Sequence, residues 1–304
     1  MTSGRISVNG RVWESQEALQ WVDGVLLVPL QVVAERLGAC VYWQSYPHRF
    51  KVEKGENSWE FSLDKDIVCV SSMGMDIHGP VCMHGLGKVM VPVSLLSQCL
   101  DLQWAYLADI DALIITRREP ALEGRCIMLD AGHGGDDPGA AHGLLIESEL
   151  NWDIAQRLAD ILELCGVDVR YTRKKLGEAT LAQRLDIANR AQPDLFISIH
   201  HNSFPDAKMN GTEVYWYGNW SARQLAEYIQ DHVLEELGTL NRGVREAAFY
   251  LLRHVSSVSV LIKVGFLTGL EDSTKVADPW LRERVALGIF RGIRDYIEVH
   301  SVQM

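Results

Sequence analysis

Arg125–Ala140, RCIMLDAGHGGDDPGA, decides how the chain is read. Cys126–Leu129 is a short apolar run of strand length, broken at Gly132, Gly134 and Gly135 by a turn that carries His133. A strand that presents a polar side chain at its end is how open α/β sheets build ligand sites, because ligands gather beyond the carboxyl ends of the strands. The pattern recurs downstream. Leu195–His200 and Val258–Val264 are nearly all apolar, as expected of strands covered on both sheet faces. Val167–Tyr171 and Glu213–Tyr217 are further strand candidates. Helix-length amphipathic stretches lie between them, at about Ser148–Leu164, Leu181–Ala191, Ala222–Leu237 and Pro279–Val299. Alternation of this kind predicts an α/β fold, a mostly parallel sheet flanked by helices. Arg173 and Arg184 flank the second connection.

At 304 residues the chain has room for about two domains, at roughly 150 residues each. The break falls at Arg117–Gly124, a polar stretch with Pro120 and Gly124 between two strand patterns. It predicts a first domain over 1–118, a linker over 119–124 and a second domain over 125–304. The first domain contains an internal echo: LLVPLQVVAERLGACVYW from Leu26 and VMVPVSLLSQCLDLQWAY from Val89. Each reads as strand, proline, helix, then a strand with tryptophan, and Pro29 and Pro92 suit a first helical turn. RFKVEKG and SWEFSLD alternate as hairpin strands do. The result is a small α+β domain.

Composition narrows the classes. A net charge of −11 argues against a nucleic-acid partner, which needs a basic face, and against anionic lipid. No apolar run reaches the roughly 18 residues of a membrane span, and Met1–Gln20 has no apolar core of a signal peptide. The six cysteines form no CxxC pair, sit mostly among apolar neighbours and read as small buried hydrophobes, with no disulfide framework. His48, His78 and His84 lack ligand-like spacing.

Chemistry concentrates in the second domain. His133 follows one buried strand and His200 ends another, with His201 as its competitor because strand alternation sends neighbours to opposite faces. Glu147 sits at the mouth of a helix, where the dipole favours a carboxylate. Two imidazoles and a carboxylate are the ligand set of a catalytic zinc ion, whose fourth position stays open for water. Lys263 lies late in the third buried strand, and Asn202 either caps a strand end or touches substrate. The glycines of DAGHGG also suit a phosphate cradle, but no GK[ST] follows.

The ordered phrases LDAGHGGDDPGA, ESELN, YTR, LAQRLDIAN, LFISIHHNS, GTEVYW, NRGVREAAFYLLR and VGFLTG resemble the zinc-dependent N-acetylmuramoyl-L-alanine amidases of the amidase-3 type, from about Arg125 to Glu298. The resemblance implies the zinc amidase fold and zinc ligands His133, Glu147 and His200. It implies peptidoglycan as partner, cleaved at the amide between N-acetylmuramic acid and the L-alanine of the stem peptide, and a cell-envelope or extracellular workplace; without a signal in this chain, a cytoplasmic one stays open. ISVNGRVW, DGVLLVPLQVVAERLGACVYW and MVPVSLLSQCLDLQW resemble the copper amine oxidase N-terminal-like domain over about residues 5–117, an accessory module that implies no copper.

One residue departs from the amidase pattern. In VLIKVGFLTG, Lys263 stands where the family carries its general base, a glutamate. A protonated lysine cannot accept a proton, and proton transfer is worth about 10²–10⁴-fold in rate. Three readings follow. One is an amidase with impaired turnover, using Lys263 or a carboxylate such as Glu213. Another is a pseudo-amidase that binds peptidoglycan or regulates. The third is a different zinc hydrolase, such as a carboxypeptidase.

Overall fold

The chain divides into two units, Met1–Arg118 and Glu119–Met304. The structure, a computed structural model, describes residues 4–15, 19–45, 49–64, 67–72, 75–80, 82–84 and 88–301. His48 lies outside these, as do the side chains of His78, His84, Cys69 and Cys82.

Both halves of the internal echo in the first unit take one form. Strand Val25–Pro29 leads into helix Leu30–Arg36, and strand Lys88–Pro92 leads into helix Val93–Leu100. The two strands pair antiparallel with Val28 opposite Val91, so the halves meet in one ladder. Pro29 and Pro92 occupy the cap position in extended conformation, one residue before the first helical turn. Arg49–Lys54 and Asn57–Asp64 form the expected hairpin. Its inward residues Phe50, Val52, Trp59 and Phe61 are buried, and the Phe50 and Phe61 rings stack at 4.6 Å.

The second unit is built on a six-stranded sheet. Its strands are β1 (Cys126–Ala131), β2 (Asp168–Tyr171), β3 (Leu195–Asn202), β4 (Thr212–Trp216), β5 (Asn241–Glu246) and β6 (Val258–Phe266). Their spatial order is β2-β1-β3-β6-β4-β5. The first four are mutually parallel; β4 runs antiparallel to β6 and parallel to β5. The helices are α1 (Glu147–Leu164), α2 (Leu181–Ala191), α3 (Trp220–Leu237), α4 (Tyr250–His254), α5 (Asp272–Ala277) and α6 (Pro279–Ser301). Both sheet faces are apolar. Ile127, Leu129, Ile197 and Ile199 are fully buried, and on the alternate positions Met128 and Phe196 pack with Ala188, Leu251 and Val255.

The five expected strands and four long helices are present, with no end shifted by more than two residues. Strand β5, NRGVRE, is an addition: it is an edge strand with exposed ends, so it lacks the apolar signature of β3 and β6. Helices α4 and α5 are one to two turns long, too short for a periodic pattern. Among the cysteines, Cys99 and Cys165 are buried, but Cys40, at the start of its strand, is exposed. Within 119–124, Leu122 is fully buried and the Gly124 amide donates to the Gly166 carbonyl at 2.9 Å. No described helix is long and apolar enough to cross a membrane.

Helix α6 packs on both α1 and α3. Its Gly288 and Gly292 lie against the α3 backbone: a Cβ on Gly292 would stand 2.7 Å from the Ile229 Cα. Neither backbone can yield locally, so Gly292→Val should force the helices apart and lower stability by about 1–3 kcal/mol, read as a reduced urea midpoint.

Candidate metal centre

The parallel strands β1, β3 and β6 end on one edge of the sheet, and the polar groups noted in the sequence meet there. His133 lies two residues beyond β1, with φ of 59°, left-handed for a non-glycine residue. Two buried arginines hold that turn. Arg184 donates to the carbonyls of Ala131 and His133, and Arg173 to those of Ala131, Gly132 and Ser148. Arg184 is anchored in turn on Asp130, at 2.8 Å. The Asp130 carboxylate, fully buried, also accepts from Thr172 and Ser198. Burial pushes this carboxyl upward, but Arg184 and the Thr172 hydrogen bond outweigh it and hold the group below its ordinary value. Burial, with the nearby Arg184 charge and against Asp130, pushes Arg173 down to about 10.

His200 projects from β3 toward the same point. Gly132 is what allows this, because a Cβ there would overlap the His200 ring. Glu147, first residue of α1, brings its carboxylate between the two rings. Its Oε2 is 3.2 Å from His133 Nε2, and its Oε1 is 3.1 Å from His200 Nδ1. The amides of Ala140 and His201 donate to the same carboxylate, each at 3.0 Å. Burial raises the Glu147 carboxyl, yet hydrogen bonding to His133 and His200 and the Lys263 charge hold it far below the carboxylate range. The Glu147 hydrogen bond raises His133, while burial lowers His200.

The ligand atoms of His133, Glu147 and His200 lie within 4.8 Å of one another and form a group fit for a metal ion. Each imidazole lies beside a different oxygen of the Glu147 carboxylate, and two imidazoles with one carboxylate are a donor set that suits zinc. Asp137 Oδ2, 2.7 Å from His133 Nδ1, fixes the orientation of that ring. His201 turns to the opposite face. Its Nδ1 meets Asn151 Oδ1 at 2.8 Å, its Nε2 has no hydrogen-bond partner among the described residues, and burial pushes it down to about 3. Asn151 Nδ2 also donates to the Gly132 carbonyl, tying α1 to the turn.

Lys263 of β6 pairs in register with His200 on one side and Glu213 on the other, so the three form a row on one sheet face. Its ammonium donates to the His201 carbonyl at 2.8 Å and lies 3.8 Å from Glu147 Oε1. Burial lowers Lys263, opposed by Glu147 and Glu213. Asn202 donates to Glu213 Oε1 at 2.8 Å and is not among the residues lining the cavity beside the trio. That cavity, of ≈ 470 Å³, is lined by His133, His200 and Lys263, by Glu178–Leu181 and by Phe249–Leu251. Sequence reading missed Asp130 and Asn151 as supports. The only signal for Asp130 was an acid closing an apolar run.

A family model described as N-acetylmuramoyl-L-alanine amidase matches residues 127–295, and one described as copper amine oxidase N-terminal domain matches residues 7–115. The chain belongs to the N-acetylmuramoyl-L-alanine amidase family, a family of hydrolases. It is 34% identical over 191 residues to the germination-specific N-acetylmuramoyl-L-alanine amidase of Bacillus subtilis (strain 168), covering 58% of this chain and 81% of that protein. It is 31% identical over 185 residues to the probable cell wall amidase LytH of Staphylococcus aureus, covering 60% and 61%. The solved structure of the N-acetylmuramoyl-L-alanine amidase AmiC2 of Nostoc punctiforme matches with a TM-score of 0.55 and 38% identity, over 58% of this chain and 99% of that one.

Asp130→Asn removes the anion beneath Arg184 and should cost about 3–5 kcal/mol at pH 7, measured by urea unfolding. Because the folded carboxyl titrates below its unfolded value of about 3.9, its stabilisation is complete above that pH and is lost as pH falls. The gap between wild type and variant should therefore narrow at pH 3.

Proposed function

We propose that the second unit is a zinc amidase site acting on peptidoglycan, at the amide between N-acetylmuramic acid and the L-alanine of the stem peptide, with Lys263 holding back its proton transfer. The observation that carries this is the convergence of His133, Glu147 and His200 at the strand ends, beside a cavity that His133 and His200 line, in a chain of this family. Two imidazoles and a carboxylate suit zinc and leave a fourth position open. Bound there, zinc supplies a water of pKa near 7 and polarises the scissile carbonyl. The protein's own tasks are to hold the ligands, orient the substrate and move protons. Domain roles follow the matched families: 1–118 as an accessory module, 119–124 as connector and 125–304 as the amidase. The names of the relatives support work at the cell wall.

The proton step is where this chain departs from the family. The Lys263 ammonium has no lone pair to take a proton from water; it donates to the His201 carbonyl and lies 3.8 Å from Glu147. Glu213, the next carboxylate in the row, already accepts from Asn202 and Tyr215 and faces Arg242 and Arg245. These contacts hold it as an acceptor of structural hydrogen bonds, and Asn202 acts by orienting it. The 3.8 Å approach of Lys263 to Glu147 also favours a second reading, a peptidoglycan-binding pseudo-amidase in which the ammonium supplies positive charge beside the trio.

Release of free stem peptides from purified peptidoglycan separates these. Lys263→Glu should raise the rate by about 10²–10⁴-fold. A wild type as fast as its glutamate variant would refute a held-back proton step, and a wild type that binds wall without any release would leave the pseudo-amidase. For the metal, His133→Ala should abolish stoichiometric zinc uptake as measured by elemental analysis; unchanged zinc content would overturn the ligand set.

A further inference from the structure

One wall of the cavity takes no part in holding the trio. It is carried by the segment from Ala247 to Val255. Ala247 is fastened by its amide to the Trp216 carbonyl at 3.0 Å. Leu251 and Leu252 of α4 are buried, and Leu251 and Val255 pack on Met128, Phe196 and Ala188. Asn189 of α2 clamps the far end, donating to the His254 carbonyl at 3.2 Å and accepting from the Ser256 amide at 3.0 Å. With the leucines turned inward, Phe249 and Tyr250 are left at the rim, 38% and 43% exposed. Both rings are braced by other rings. Phe249 meets Tyr215 edge-to-face at 5.0 Å, and Tyr250 lies against His254 at 4.8 Å. Exposed aromatic surface adds little to folding, but braced rings bind a flat apolar face with little ordering cost.

We propose that Phe249 and Tyr250 are the platform for the sugar ring of the substrate, so that the site selects a muramyl peptide over the peptide alone. This rests on the amidase reading. If the scissile amide lies at the trio, its acyl side is the lactyl group, borne directly on a pyranose. A ring must then stand within a few bonds of His133 and His200, inside the cavity that Phe249 and Tyr250 line. A pyranose has a flat face of C–H groups that matches an aromatic ring. The L-alanine side offers a single methyl group, too small to cover two rings. Glu178 and Thr180, which also line the cavity, suit hydroxyl and amide groups instead.

Binding tests this independently of the rate of turnover. Zinc-loaded full-length protein is titrated calorimetrically with N-acetylmuramyl-L-alanyl-D-isoglutamine and with L-alanyl-D-isoglutamine. Wild type should prefer the muramyl compound by about tenfold or more, and Phe249→Ala and Tyr250→Ala should each erode that preference by about 3- to 10-fold. Phe249→Tyr and Tyr250→Phe should retain it. Phe249→Leu keeps an apolar contact with Tyr215 but has no ring face, so it should also lose the preference and guards against misfolding of the alanine variant. An intact preference in the ring-deleted variants overturns the platform and leaves the amidase reading standing. So does a wild type that binds both compounds equally. A wild type that binds neither overturns the amidase reading, and the platform with it.

Discussion

A carboxylate buried at the start of a helix organises this protein's second unit. Glu147 is 3% exposed, and a buried charge persists only if it is paired and hydrogen-bonded. Four of its partners come from two stretches of the chain: the ring of His133 and the amide of Ala140 beyond β1, and the ring of His200 and the amide of His201 in β3. Satisfying one carboxylate therefore fixes α1, the turn after β1 and the end of β3 relative to each other. The group that results is also the group fit to hold a metal ion. In this unit the demands of folding and of the site coincide.

Around that node the support is polar and layered. Asp130 is held by Arg184, Thr172 and Ser198, and Arg184 and Arg173 in turn take up the carbonyls that the turn after β1 leaves unpaired. Lost strand hydrogen bonds are thus replaced one by one, as buried backbone groups require. The strained φ of His133 survives because these bonds over-determine it. Lys263 enters this frame as a cation next to a carboxylate that already has partners. It adds a positive charge beside that carboxylate, and the fold accommodates it with a hydrogen bond to the His201 carbonyl.

Much of this was legible in the chain. The apolar runs at β1, β3 and β6 are continuous because helices cover both faces, and that continuity made them easy to find. His133 and Glu147 stood out because each follows a recognisable boundary, a glycine turn or a helix start. Strand β5 was not legible: an edge strand has no need of apolar residues on both faces, so NRGVRE reads as loop. Asp130 and Asn151 were hidden for another reason. Their partners lie 68 and 50 residues away, and local pattern carries no record of such pairings.

The sequence by itself determined the alternating elements, the polar residues at the strand ends and the lysine late in the third apolar strand, because those depend on local order and residue type. Only the tertiary structure decided that His200 rather than His201 joins His133 and Glu147, that Asn202 is spent on Glu213, and that Phe249 and Tyr250 rim the same cavity. The physical reason is the same in each case. Strand alternation says that neighbours point apart, but which face meets α1 and which meets the open cavity is set by how the helices cover the sheet.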